Sequence, residues 1–250
     1  MARTTPELHD NALLAALPSQ ALMALSDRLL TKPVNAGEIL CEPGTPLIHL
    51  VFPHDCIVSL QAVLEDGRTV EEASVGREGM VGFDYFLGER RCNYHATVAI
   101  SGRASWLAVT DFQDVLGNSE PVHQILRQYA RTFIAGLMQS IVCASVHPAS
   151  QRLATWLLRA QDRTSTDHFD VTQRALASVF GLRLATISDA CARLQAANAI
   201  GQGRGTLSVL DRQNLEAQAC ECYERGWNHG VDYAPAEDRG RRSAFQHLIG

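Results

Sequence analysis

The chain has 250 residues, enough for one large or two modest domains, with 46% hydrophobic residues and a mean hydropathy of -0.06. Its net charge of -5 argues against indiscriminate binding to nucleic acid. No apolar run approaches the roughly 20 residues of a membrane span, and the N-terminus lacks the apolar core of a signal peptide. The sequence therefore predicts a cytoplasmic globular protein with no membrane partner.

The N-terminal half of the chain has the pattern of short helices followed by short strands. Residues 13–30 read as two amphipathic helices separated by Pro18, and residues 34–109 read as alternating segments with turn residues between them. We expect one hairpin at Asp66-Gly67 and another at Ser101-Gly102. Regular short strands with glycine-rich corners predict a compact antiparallel barrel or roll.

A long helix follows, over residues 122–144, with apolar side chains close to a 3.5-residue repeat. Packing inside one subunit would explain such a seam. Because this helix lies between two separately folding parts, we favour a partner helix from a second copy. The dimer interface is predicted at Leu126, Tyr129, Phe133, Leu137 and Ile141.

Residues 171–189 have the pattern of a helix, a tight turn and a second helix. Gly181 lies where the chain must turn sharply, and a helix with an apolar face begins near Leu184. This pattern is typical of a DNA-binding helix-turn-helix, although an ordinary pair of packed helices would look similar. A two-stranded wing about residues 203–205, a helix over residues 212–226 and a polar tail with little fixed structure are predicted after it.

The distribution of charge supports the DNA-binding interpretation. Residues 151–212 hold eight arginines and five acidic residues, a net charge of +3, whereas residues 1–150 carry -6. The segment predicted to contact DNA is thus the positive part of an acidic protein. No phosphate-binding loop, nucleophile elbow, HExxH or dinucleotide fingerprint is present, so we do not expect an enzyme.

The order of a β-roll, a long helix and a winged helix-turn-helix resembles the Crp/Fnr superfamily of bacterial transcription regulators. The segments AGEILCEPGTP, SVGREGMVG, VTQRALASVFGLRLATISDACARLQ and GRGTLSVLD carry this resemblance. It implies an α+β fold, a homodimer on a palindromic operator and, in an activator, a contact with RNA polymerase. The implied domains are a sensor-type roll at 1–117, a dimerisation helix at 118–146, a winged helix-turn-helix at 147–226 and a flexible tail at 227–250.

The roll departs from the members that bind cyclic AMP. Those members share a Gly-Glu-Leu corner and a later Arg-Ser pair. In this chain the corner reads Gly79-Met80-Val81, and Arg90 and Arg91 come too early to match the arginine of that pair. A buried phosphate without a cation is unfavourable, so cyclic-nucleotide binding is not expected. A different effector, or none, is predicted. Its expected place involves Met80, Val81, Tyr94, His95, Gln139 and Ser140.

Seven scattered cysteines include no CxxC pair, so we set aside a zinc site and expect reduced thiols. Oxygen-sensing members hold an iron–sulfur centre on N-terminal cysteines, but this chain has none before Cys41. Carbon-monoxide-sensing members hold haem in the part of the roll in which Cys92 and His95 of this chain lie. A histidine with ordinary hydrogen bonds is the favoured explanation, and no cofactor or metal is predicted.

The DNA-reading helix also departs from familiar members, which read guanines with an Arg-Glu pair and a further arginine. By position this chain has Leu184, Ala185 and Asp189, and Arg183 comes one residue early. The DNA-binding candidates are Thr172, Gln173, Arg174, Arg183, Leu184, Ala185, Thr186, Ser188, Asp189, Arg193 and Arg204. We favour a dimeric DNA-binding regulator. The alternative is a ligand-binding or protein-interaction module whose helix-turn-helix has lost DNA.

Overall fold

The computed structural model describes residues 5–117 and 119–225 and confirms the predicted α+β fold. The predicted flexible tail lies outside the described residues. The helices are α1 Ala12–Ala15, α2 Ser19–Ser26, α3 Val109–Leu116, α4 Glu120–Val146, α5 Ala149–Thr164, α6 Gln173–Phe180, α7 Leu184–Ala196, α8 Arg212–Gln218 and α9 Cys222–Arg225. The strands are β1 Leu30–Val34, β2 Ile39–Cys41, β3 His49–Pro53, β4 Ile57–Val63, β5 Thr69–Val75, β6 His95–Ile100, β7 Gly102–Ala108, β8 His168–Phe169, β9 Ile200–Gln202 and β10 Leu207–Val209.

Two antiparallel sheets form the roll, one in the order β2-β6-β4-β5 and the other in the order β1-β7-β3. The predicted hairpin at Asp66-Gly67 is present between β4 and β5, with Gly67 at a φ of 80°. The predicted hairpin at Ser101-Gly102 is wrong, because β6 and β7 belong to different sheets. The backbone of Asp55 comes within 2.6 Å of where a Gly102 Cβ would stand, so glycine serves here in a crossing between sheets.

One core unites the N-terminal helices, the roll and the first half of α4. Asn11 is buried in it and joins three segments. Its side-chain oxygen caps α1, and its amide donates to the carbonyls of Pro53 and Gly79, each at 2.8 Å. The N-terminal helices are therefore fixed to the roll by hydrogen bonds as well as by apolar contact.

The long helix α4 has two different environments along its length. Leu126 and Tyr129 are buried in their own roll, and Phe133 packs partly against the same core. The prediction that Leu126 and Tyr129 form the dimer interface is therefore wrong, because the heptad pattern there fits the roll. The exposed apolar residues lie further along, and we call them the α4 stripe: Ile134, Met138, Ile141, Val142 and Val146.

By length and composition alone, α4 could span a membrane, and the bent pair α6 and α7 passes the same test when counted together. The first half of α4 packs against the roll, however, and carries exposed arginines at 127 and 131. These features fit an interaction helix of a folded protein better than a lipid-facing segment.

The C-terminal part packs α5, α6, α7 and α8 with a small sheet in the order β8-β10-β9. The predicted wing is the β9–β10 hairpin, but the single helix predicted over residues 212–226 is wrong. Ala219 is extended, with φ -77° and ψ 161°, and separates α8 from α9. The backbone N–H of Cys220 then donates to the Thr155 hydroxyl at 3.3 Å, which fixes the break against α5.

The expectation of reduced thiols is wrong for two of the seven cysteines. A disulfide joins Cys41 and Cys92, whose Cα atoms are 6.6 Å apart. Cys41 ends β2, and Cys92 lies before β6 with its backbone bonded to Gly44 and Thr45, so the two residues meet although 51 positions separate them in the chain. Since Cys92 is engaged in this bond, it does not form a haem or metal pair with His95 in this structure.

Candidate nucleic-acid interface

Helices α6 and α7 have the geometry of a helix-turn-helix. The Thr172 hydroxyl caps α6 by accepting from the Ala175 N–H at 3.1 Å. Gly181 ends the helix at a φ of 62°, a conformation that favours a residue without Cβ. The chain bends by 111° between the two helices, within the range of roughly 90–120° typical of this motif.

The first two turns of α7 present side chains that the sequence predicts to contact DNA. Arg183 is the N-cap residue, and Leu184, Ala185, Thr186 and Asp189 are all exposed. Ile187, Ala190, Cys191 and Leu194 are buried on the opposite face and hold the helix in the domain. The candidate reading residues therefore share one open face of α7.

Three of the candidate DNA-binding residues already serve the fold. The Ser188 hydroxyl donates to the Gln173 side-chain oxygen at 2.5 Å, which ties α7 to α6. Thr172 is used as the cap of α6. The side chains of Arg174, on α6, and Arg204, in the β9–β10 hairpin, are exposed.

The eight arginines of residues 151–212 divide into two groups. Four are engaged inside the protein: Arg152 stacks on Phe180, Arg159 donates to the Cys222 carbonyl, Arg163 pairs with Glu78, and Arg212 pairs with Asp162. The other four are exposed: Arg174, Arg183, Arg193 and Arg204. Within the described part of the chain, no salt bridge engages this second group. Their charge is therefore available to an external anion, with Asp189 as the opposing charge on the same helix.

The predicted effector residues do not line one cavity. Met80, Val81 and Tyr94 are buried in the packed roll, and Gln139 donates to the Cys222 sulfur at 3.0 Å. His95 lies half-buried on β6, opposite Gln61. The prediction that these residues surround a common pocket is wrong, because three of them are packed in the core and the others lie apart from them.

Two tyrosines fill the corner Gly79-Met80-Val81 of the roll. The ring and hydroxyl of Tyr129 pack against Gly79 and leave no room for a Cβ there, and the hydroxyl accepts from the Met80 N–H at 3.3 Å. The Tyr94 hydroxyl accepts from the Gly82 N–H at 3.3 Å. Burial raises the pKa of both hydroxyls, so they stay neutral and protonated.

A separate cavity of about 160 Å³ lies between the roll, α4 and the C-terminal domain. Ser140 is the one predicted effector residue that lines it. Its other walls include Glu71, Phe133, Trp156 and Arg159. Burial raises the pKa of Glu71 to about 7, opposed by a hydrogen bond from Ser59 and by the charge of Arg163. The volume is below the roughly 300–1,000 Å³ of usual small-molecule sites.

Residues 151–218 match the family model of the Crp-like helix-turn-helix domain. Among solved structures, FixK2 from Bradyrhizobium japonicum aligns with a TM-score of 0.64 at 17% identity, over 77% of this chain and 98% of FixK2. A transcriptional regulator of the CRP family from Thermus thermophilus aligns with a TM-score of 0.62 at 18% identity, over 75% of this chain and 96% of that protein. The search of curated proteins found no match.

Proposed function

Because residues 151–218 match the Crp-like helix-turn-helix domain and about three quarters of the chain aligns with FixK2 and with a CRP-family regulator, we propose that this protein is a DNA-binding transcription regulator. It binds a two-fold symmetric operator as a homodimer in the cytoplasm, with α7 of each copy in the major groove. The two reading helices then lie roughly 34 Å apart, one turn of DNA.

The group of exposed arginines around α7 is the observation that supports this proposal most directly. The open face of α7 begins at Arg183, one of four exposed arginines of this domain, whereas the other four are engaged internally. The remaining exposed arginines are Arg174, Arg193 and Arg204. A merely structural helix pair gives no reason to leave these four arginines out of every salt bridge in the described part of the chain. An anionic backbone approached by α7 does give such a reason.

Arg183 opens α7 and carries a planar fork of donors, so it is the best candidate for a contact to a base edge. We expect Arg183→Ala to weaken binding to the selected site by about 1–3 kcal/mol and to relax its sequence preference. The site is first selected from a random DNA pool with the full chain, and affinities are then measured by fluorescence anisotropy. Arg28→Ala is the matched control, since it removes the same charge from the roll, where Arg28 pairs with Asp111.

Arg174 precedes the turn and is expected to hold phosphate. Arg174→Ala should therefore weaken all sequences alike and reduce the slope of affinity against salt by roughly one counterion. If pool selection yields no palindrome and Arg183→Ala behaves as the parent protein, the interaction-module alternative replaces this proposal.

Any effector of this regulator is expected to differ from the cyclic mononucleotides. Tyr94 and Tyr129 fill the corner around Met80 in the roll. In regulators that bind cyclic AMP, the position of Met80 is taken by a glutamate that holds the ribose. Titration calorimetry with cyclic AMP and cyclic GMP should give no heat beyond dilution into buffer. A micromolar or tighter Kd for either nucleotide would contradict this expectation.

A further inference from the structure

Four side chains that could bind a metal converge where α4 ends. Cys143 and His147 come from the last turn and C-cap of α4, and Cys220 and Cys222 come from the segment that opens α9. Their three sulfur atoms and one imidazole nitrogen all lie within 4.8 Å of one another. The spacings are Cys-x3-His and Cys-x-Cys, and Cys143 and Cys220 are 77 positions apart, so the sequence gives no local sign of this group.

The distances suit a single tetrahedral ion. Cys143 Sγ is 3.6 Å from Cys220 Sγ, and Cys222 Sγ is 3.6 Å from His147 Nδ1. Ligands on a tetrahedral Zn²⁺, with Zn–S of about 2.3 Å and Zn–N of about 2.0 Å, stand roughly 3.5–3.8 Å apart. Three cysteines and one histidine are also a donor set that closed structural zinc sites use.

The surrounding residues orient these ligands as a second layer. His147 directs Nδ1 to the cluster, and its Nε2 lies 3.1 Å from Glu221 Oε2. A carboxylate behind a histidine is the arrangement that fixes the ring of a zinc ligand. The Gln139 amide donates to Cys222 Sγ at 3.0 Å, and the Thr155 hydroxyl lies 3.1 Å from Cys220 Sγ. Hydrogen bonds of this kind stabilise thiolates bound to a cation.

We propose that Cys143, His147, Cys220 and Cys222 bind one Zn²⁺ ion, which fastens the end of the C-terminal domain to the end of α4. Binding releases the three thiol protons and involves no redox step. The ion would clamp the junction between the long helix and the DNA-reading domain. Zinc binding does not depend on whether this protein binds DNA.

Metal content of the full chain is the first test. The protein is purified without chelator, desalted and measured by inductively coupled plasma mass spectrometry. We expect one zinc per chain, and expect Cys143→Ser and Cys222→Ser each to lose it. Cys191→Ala is the matched control, because Cys191 is a buried thiol outside the cluster. Zinc that stays equal in all variants, or is absent even after incubation with Zn²⁺, would overturn the proposal.

Two further measurements guard against misfolding of the cysteine variants. Glu221 is exposed, so Glu221→Gln should fold normally yet lower zinc affinity by roughly 10- to 100-fold in a chelator competition. Co²⁺ added to the zinc-free chain should give the visible bands of a tetrahedral site with thiolate charge transfer. Octahedral cobalt spectra, or a Cys143–Cys220 disulfide located by peptide mapping of the protein as purified, would contradict the site.

Discussion

Glu71 illustrates how one carboxyl can make stability depend on pH. Its pKa is raised from 4.5 to about 7 by burial, so the folded protein binds more protons than the unfolded chain between these values. Stability from this group is therefore fully present below pH 4.5 and is lost as the pH rises to 7. The loss is at most about 3 kcal/mol, at about 1.4 kcal/mol per pKa unit.

Glu71→Gln removes the cost of ionising this side chain. We expect the variant to be more stable than the parent protein at about pH 8, by up to about 3 kcal/mol, and nearly equal to it at about pH 4.5. Urea unfolding at several pH values measures this difference. Glu72→Gln changes the neighbouring, exposed carboxyl and should show no such trend. Parallel pH profiles for the two variants would contradict the assigned role of burial.

The residues that sequence analysis placed best are those with local reasons to be where they are. Gly181 marks the turn and Arg183 the start of α7, because turn geometry and helix periodicity are written in adjacent positions. The predictions for Tyr94, as an effector-pocket residue, and for Tyr129, as a dimer-interface residue, are wrong because no local pattern decides what these side chains contact. What they contact, the backbone at Met80 and Gly82, depends on how distant segments fold together.

Among the elements, α4 shows that a periodic apolar pattern predicts a helix but not the surfaces against which the helix packs. Its position and length were predicted closely, but an apolar repeat does not say which neighbour covers it. Leu126 and Tyr129 meet the roll, whereas the α4 stripe begins only near Ile134. An apolar repeat looks continuous in the sequence even when its first half packs against the roll and its second half is left for another partner. The sequence also does not predict the cluster of Cys143, His147, Cys220 and Cys222, because neither half of it has the CxxC spacing typical of zinc sites.

The α4 stripe should form the interface between two copies of the chain. Met138 and Ile141 are 64% and 67% exposed in the single chain, so Met138→Glu or Ile141→Glu would put an unpaired charge between two apolar helices. We expect each variant to be monomeric by multi-angle light scattering. Met23→Glu is the control, because Met23 is similarly exposed on α2, away from the stripe. A dimer that persists in both α4 variants would exclude this surface.

At the scale of the whole molecule, the roll and the C-terminal domain are joined by a buried ion pair. Arg163 on α5 lies 2.9 Å from the Glu78 carboxylate in the roll, and their side chains are only 6% and 9% exposed. Arg163 also donates to the Ser74 hydroxyl, and Glu78 accepts from the Gly76 N–H. The two domains thus share a polar contact that neither can satisfy alone.

Breaking this contact should uncouple the domains. Glu78→Gln removes the carboxylate that lies 2.9 Å from the Arg163 guanidinium. Removing one partner of a buried ion pair costs about 3–5 kcal/mol and should divide one unfolding transition into two. The double variant Glu78→Gln, Arg163→Met removes both charges and should recover part of the loss. Asp111→Asn provides the control, since its exposed pair with Arg28 is worth at most about 1 kcal/mol. Calorimetry and urea titration measure both effects. Equal, small losses for Glu78→Gln and Asp111→Asn would mean that apolar packing alone holds the C-terminal domain to the roll.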